Sequence, residues 1–231
     1  MDILLRHATD YIHMPSARHE MEVHQGFHAI ACIPRIIGLV DGTLIPIANP
    51  SALGQAFVCH KGFTAIDVQV VVDHRGMFAD VVAKWPGSTH DSFVWANSVV
   101  GQDTERGVFG QSIFLGDSSY PLRTYLLSPV TNPTTQAEHN YNTAHIRTCS
   151  LVEHSVGRWK MRKSAGGLRM KPERCGAVAV VTAMLHNITV SGGAALPEEE
   201  EEGVHNPPQL RDALHAAGVQ TRQQIILTVF G

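Results

Sequence analysis

The spacing of apolar and polar positions changes period several times along the chain, and each change predicts an element. Residues Ile36 to Ile47, IIGLVDGTLIPI, form a β-branched apolar run broken by Asp41-Gly42-Thr43, which predicts a buried strand with a carboxylate at its end or at a bulge. Ala65 to Asp73, AIDVQVVVD, predicts a second strand. Asp73-His74-Arg75-Gly76 then reads as a tight turn in which Gly76 takes positive φ, and Met77 to Ala83 as the returning strand of a hairpin. Trp85-Pro86-Gly87-Ser88-Thr89 ends that hairpin. Asp91 to Val100 opens with an acid and continues apolar, as a helix start does. Ser112 to Leu115 is a short fourth strand running into Gly116-Asp117.

Beyond it the period lengthens. From Asn140 to Lys163, Ile146, Cys149, Val152, Val156 and Trp159 recur at steps of three and four, predicting an amphipathic helix. Arg147, His154, Arg158 and Arg162 form another stripe, and Glu153 falls near the edge of the apolar one. A second helix is expected from Glu173 to Thr189, buried because it is nearly free of charge after Arg174. Residues 192–208 combine Gly, Pro and the run Glu198 to Glu202, which supplies no core and predicts an acidic flexible linker. Residues 209–231 return to a helical pattern that docks back. The division expected is a partly helical N-terminal segment over 1–35, an α/β domain over 36–191, the linker, and a C-terminal helix. The order of strands and helices predicts a mixed sheet flanked by helices, an α/β fold whose sites gather at strand ends.

Composition narrows the function classes. A chain of 231 residues, 44% hydrophobic and 17% charged, holds one ordinary core. Eighteen basic against 21 acidic residues, a formal charge of −3, excludes a polycation that coats nucleic acid by bulk charge. Cys32, Cys59, Cys149 and Cys175 have no paired spacing, which argues against a disulfide framework or a cysteine-rich zinc site and for a reducing compartment. No apolar run approaches the ~18 residues of a membrane span, so a soluble protein with no membrane partner is expected. The first residues lack the apolar block of a signal peptide. The 14 histidines are scattered and form no HExxH.

Four acids sit where local structure changes: Asp41 in the first strand, Asp91 at a helix start, Asp117 past the fourth strand and Glu153 inside the long helix. Taken singly each has a plain reading: Asp91 as a first-turn residue, Asp117 as a turn former, Glu153 as a solvated helix residue. Taken together they fit hard divalent cations, which take oxygen ligands and in pairs promote phosphodiester cleavage. Carboxylates from distant segments repel one another unless cations lie between them.

At these residues the chain resembles a known family. Gly38-Leu39-Val40-Asp41-Gly42-Thr43, Lys61-Gly62-Phe63 and Val68-Gln69-Val70-Val71-Val72-Asp73 match its text. So do Trp85-Pro86-Gly87-Ser88-Thr89-His90-Asp91 and Gly116-Asp117-Ser118-Ser119-Tyr120-Pro121-Leu122. Tyr141-Asn142-Thr143-Ala144-His145, Val152-Glu153 and Leu185-His186-Asn187 complete the series. The blocks resemble those of the Harbinger transposase-derived nucleases, in the DDE superfamily of endonucleases, relatives of the PIF/Harbinger and IS5 transposases. The 35 residues between Asp117 and Glu153 match the interval of the DDE pattern. The resemblance implies an RNase H-like fold over 36–191 and a Mg2+ or Mn2+ site. Asp41, Asp117 and Glu153 match the catalytic triad, and Asp91 a further acidic position. It also implies DNA cleavage and residence in nucleus and cytoplasm. The short N-terminal segment departs from relatives with a DNA-reading helical region, and the family's transposases work with a Myb/SANT-like DNA-binding partner. Leu44, Ser119 and Cys149 stand where the family often has histidine, glycine and arginine.

Arg158, Lys160, Arg162, Lys163, Arg169, Lys171 and Arg174 make a basic segment beside Glu153. Of these, Arg158, Lys160, Arg162 and Lys163 are the expected nucleic-acid contacts, through phosphate, although a solvated helix end has the same composition. His90 and His154, beside Asp91 and Glu153, are candidates for proton shuttling; the bystander reading stands next to it. His145 and His186 read as structural. The leading expectation is a metal-dependent endonuclease. Its rivals are a catalytically silent transposase domain acting as a DNA- or protein-binding module, and a histidine-rich zinc hydrolase.

Overall fold

The computed structural model describes residues 2–50, 54–161, 167–193 and 216–231. Three N-terminal helices, α1 (Asp2–Arg6), α2 (Ala8–Tyr11) and α3 (Glu20–Ala31), lead into strand β1 (Ile36–Pro46). The strands β2 (Ala65–Val72) and β3 (Phe78–Pro86) form the expected hairpin. Its turn is closed by Asp73, whose Oδ1 accepts the backbone N–H groups of Arg75 (2.8 Å) and Met77 (2.9 Å), while Gly76 takes φ of 79°.

Two short helices follow, α4 (Asp91–Ala96) and α5 (Val99–Glu105), where one continuous helix over Asp91–Val100 was expected. The reason is Ser98. Its hydroxyl accepts the Gly101 N–H (2.9 Å) and donates to the Trp95 carbonyl (2.8 Å), so it caps a new helix rather than continuing the old one. Strands β4 (Ile113–Leu115) and β5 (Leu126–Leu127) complete a five-stranded sheet of order β3-β2-β1-β4-β5. The pairs β1/β2 and β2/β3 are antiparallel, and β1/β4 and β4/β5 parallel. β5 has only two residues, too few for a period to show in the sequence. The protein is a mixed α/β fold, consistent with an RNase H-like architecture.

Two long helices cover one face: α6 (Gln136–Met161) and α7 (Pro172–Ser191). The apolar stripe read on α6 is corrected at its start, because Ile146 is 67% exposed. Tyr141, Ala144, His145 and Thr148 cover the core there, and Val152, Val156 and Trp159 continue the buried line. Trp159 is fully buried and donates its indole N–H to Thr182 on α7 (2.9 Å). His186 bonds the Gly76 carbonyl (2.9 Å) and His145 that of Leu127 (3.4 Å), the structural roles expected of both.

Strand period two divides the core. Leu39, Val70, Val72 and Leu115 pack with α3, α6 and α7, whereas Val40, Val71 and Phe114 pack with Trp95, Val100 and Tyr120 on the other face. Helix α8 (Ala216–Ile225) and a wider helical turn over Ile226–Phe230 return onto this domain. There Arg222 donates to the carbonyls of Ser128 (3.0 Å) and Pro129 (2.9 Å). Most of the acidic linker, residues 194–208, lies outside the described residues. Among the described residues no helix is long and apolar enough to cross a membrane.

Candidate active site

The site begins with a register. Leu39 on β1 is paired in parallel with Leu115 on β4, so two residues further along each chain stand Asp41 and Asp117. β4 ends at Leu115 while β1 continues to Pro46. Asp41 is therefore just past the last point where β1 has a partner on that side, at the mouth opened by the departing chain.

Asp117 turns at once. Its Oδ1 accepts the backbone N–H of Ser119 (2.9 Å) and the Ser119 hydroxyl, and its carbonyl accepts the Tyr120 N–H (3.3 Å). This turn lays the Tyr120 ring beneath the acids. A Cβ on Gly116 would meet that ring at 2.9 Å and Val40 at 3.0 Å, so the close approach requires glycine.

Asp91 arrives at the start of α4, on the opposite side of β1. The next residue after Asp41 admits it: a Cβ on Gly42 would stand 2.1 Å from Asp91 Oδ1. The Ser119 hydroxyl, donated to Asp117, is also near enough to Asp91 to favour its charged form. Glu153 lies on α6 beside the buried Val152, its own side chain exposed. Cys149, one turn before it, lies in the field of Asp41, Glu153 and Asp117 and touches His145 Nδ1 at 3.6 Å.

The electrostatics match this geometry. Asp41 is pushed up to about 8, first by burial and then by the charges of Asp117, Asp91 and Glu153. Asp91 is raised by burial, partly offset by the Ser119 hydroxyl, with His90 and His60 favouring its charged form. Asp41 thus lies in the field of the other three acids marked by the sequence.

Three participants were not singled out by the sequence. Asp67 and Gln69 alternate with valines on β2, and both are buried. An acid and an amide at every second position of an apolar run are the signal that marks them. Tyr120 carries a buried hydroxyl in the field of Asp91, Asp41, Asp117 and Asp67. The basic residues stand elsewhere. Arg158 is half-buried, one terminal guanidinium nitrogen 3.4 Å from where a Cβ on Gly76 would lie, beside the β2–β3 turn. Lys160 is exposed near the end of α6, and Arg162 and Lys163 lie outside the described residues.

The donor set fits a hard divalent cation. It is made of carboxylate oxygens from separate segments, and the charges of Asp117, Asp91 and Glu153 add to burial, the larger cause, in raising Asp41. Among the described residues no group of three or more His, Cys, Asp or Glu side chains is gathered closely enough to hold a metal ion.

Comparison with known proteins decides the family. Residues 40–187 match the model described as DDE superfamily endonuclease. The chain belongs to this family. It is 32% identical to the cattle protein named "Putative nuclease HARBI1" over 99% of this chain and 69% of that protein, and 30% identical to the human protein of the same name over the same shares. It is also 27% identical to "Protein ALP1-like" of Arabidopsis thaliana, over 73% of this chain and 46% of that protein. No solved structure matches significantly. The family match runs from one residue before Asp41 to Asn187 and so spans Asp41, Asp91, Asp117 and Glu153. The chain is accordingly a Harbinger-related member of the DDE endonucleases, of transposase-derived nuclease type.

Proposed function

We propose that this chain is a divalent-metal-dependent endonuclease that hydrolyses DNA phosphodiester bonds, with Asp41, Asp117 and Glu153 as catalytic acids and Asp91 as an outer ligand. One arrangement supports the reading: Asp41 and Asp117 follow the same strand pair at equal distance, and Asp91 lies against Gly42, the residue after Asp41. Acids from four segments share a region at a cost that a bound cation removes. Mg2+ or Mn2+ bound there would lower the pKa of an attacking water and neutralise the leaving oxygen.

The chain's own residues do the rest. The parallel register of β1 and β4 sets the spacing of Asp41 and Asp117. Ser119 restrains the Asp117 carboxylate through two donors on one oxygen. Trp95 and Tyr120, both buried, exclude solvent from beneath the acids. Glu153, exposed on its helix, is the acid free to adjust as a phosphodiester enters. Arg158 and Lys160, near the end of the helix that carries Glu153, are proposed to take the flanking phosphates together with Arg162 and Lys163 further along the chain. A Myb/SANT-like partner for target recognition and residence in nucleus and cytoplasm belong to the same proposal, supported by the Harbinger resemblance.

A plasmid-nicking assay across a Mn2+ and Mg2+ series tests it. Native protein is expected to nick and Asp117→Asn to lose the activity with its fold intact; unchanged cutting by that variant removes the assignment. The open arrangement of the acids favours one second reading, a silent DNA-binding module. Its signature is a gel shift with DNA and no nicking anywhere in the series.

A further inference from the structure

Behind Asp91 the sheet carries polar groups that the chemistry above does not use. Asp67 and Gln69 are 3% and 1% exposed, and Tyr120 is 3% exposed. Asp67 Oδ2, both amide atoms of Gln69, the Tyr120 hydroxyl and Trp85 Nε1 are buried without a hydrogen-bond partner. Each such atom has given up its hydration with no bond in return, which disfavours the folded state. Several gathered in one place call for a common explanation.

Their positions supply it. Gly42 and Gln69 are partners across β1 and β2, and Asp67 and Trp85 are partners across β2 and β3. Cross-strand partners project from the same face about 4.5–5.5 Å apart. Gly42 has no side chain, and the space beside Gln69 is taken by Asp91, whose Oδ1 lies 2.1 Å from where a Cβ would be. Tyr120 reaches the same region through the turn after β4, its ring pressed on Gly116 and edge-on to Trp95 (6.4 Å between centroids). The charge of Asp91 acts on both Asp67 and Tyr120. Asp91 thus closes one side of a polar chamber in the sheet's second face.

The chemistry of the chamber selects its ligand. The Gln69 amide, the Tyr120 hydroxyl and the Trp85 indole all offer N–H or O–H donors. Those donors oppose a cation and suit a carboxylate. We infer that Gln69 and Tyr120 are positioning residues that hold the Asp91 carboxylate from the buried side by donating hydrogen bonds to it. A small rotation of Asp91 over Gly42 brings its carboxylate onto these unpartnered donors and fixes the direction in which Asp91 presents its other oxygen. The consequence for cation binding rests on the metal reading above; the coupling between the three residues does not.

A double-mutant cycle in cation-free buffer tests the coupling, using urea unfolding of the full chain. Tyr120→Phe keeps the ring and removes the hydroxyl; Gln69→Met keeps the volume and removes the amide. Each is expected to lower the folding equilibrium constant at least fivefold in the native background and less than twofold when Asp91→Ala is present. No loss in the native background, or an equal loss in both, overturns the inference. Calorimetric titration with Mn2+ adds a readout that plain packing would not move. If the native chain binds Mn2+, Tyr120→Phe is expected to bind it at least fivefold more weakly, and equal affinities overturn the positioning role. If the native chain binds no Mn2+, the metal reading fails while the urea cycle still decides the coupling.

Discussion

Gly42 and Asp91 occupy one another's space: the side chain that β1 lacks at Gly42 is replaced by a carboxylate oxygen from α4, 2.1 Å from the missing Cβ. A helix-start acid reaches a strand's backbone only because that strand carries glycine next to Asp41.

Gly42→Ala should therefore displace Asp91 without unfolding the sheet. Overpacking a well-packed position costs about 1–3 kcal/mol, which lowers the melting temperature by a few degrees. Mn2+-dependent nicking is expected to fall tenfold or more. Native-level nicking by a folded Gly42→Ala protein would show that the position of Asp91 is irrelevant to cleavage.

Acidic groups raised by burial make a signed prediction about pH. Asp41 is pushed up to about 8 and Asp67 to about 7, against an ordinary value of 3.8. Between the ordinary value and the raised one the folded state holds a proton that the unfolded state has released. Stability consequently falls as pH rises from about 4 through 7 to 8, by about 1.4 kcal/mol per unit for each such group across its window. Thermal melts in chelator from pH 5 to pH 8 should show the decline, and Asp67→Asn should make it shallower.

Divalent cations should oppose that decline. A cation bound only by the folded state adds stability as its concentration exceeds its dissociation constant, about 2.7 kcal/mol at a hundredfold excess. Melts at pH 8 with and without Mn2+ are expected to differ by several degrees for native protein and much less for Asp117→Asn. Equal upward shifts in both would place the cation elsewhere.

Asn187 tests what supports the site from below. Its Nδ2 donates to the carbonyls of Phe78 and Tyr11, and its Oδ1 accepts the Phe78 N–H, all at 2.8 Å. A side-chain amide thus pairs with the start of β3 as a neighbouring strand would, tying α2 and α7 to the sheet. Asn187→Ala leaves these groups unpaired and should cost about 2–4 kcal/mol, measured by urea unfolding. A loss under 1 kcal/mol would mean that water takes over the three bonds.

Much of the fold was legible because its long elements have clear periods. The hairpin of β2 and β3 follows from alternation and Gly76, and α7 from a run that carries almost no charge. The misreadings share a physical origin. α4 and α5 separated because the Ser98 hydroxyl competes for backbone partners, a local choice that hydrophobic spacing does not record. Ile146 looked buried because stripe and core agree only while the helix faces the sheet, and Tyr141 covers the core at that end of α6.

For the site, the sequence by itself singled out four candidate acids, since residue type, element boundary and motif order all mark Asp41, Asp91, Asp117 and Glu153. Tertiary structure alone decided their mutual arrangement. The register of Leu39 with Leu115 aligns two of them, the gap at Gly42 admits a third, and Glu153 on α6 adds its charge to the field at Asp41. It also decided that Asp67, Gln69 and Tyr120 lie beneath them. The reason is that electrostatic cost and hydrogen-bond partnership depend on distance and burial. Both are set by chain segments that meet only when the sheet has formed.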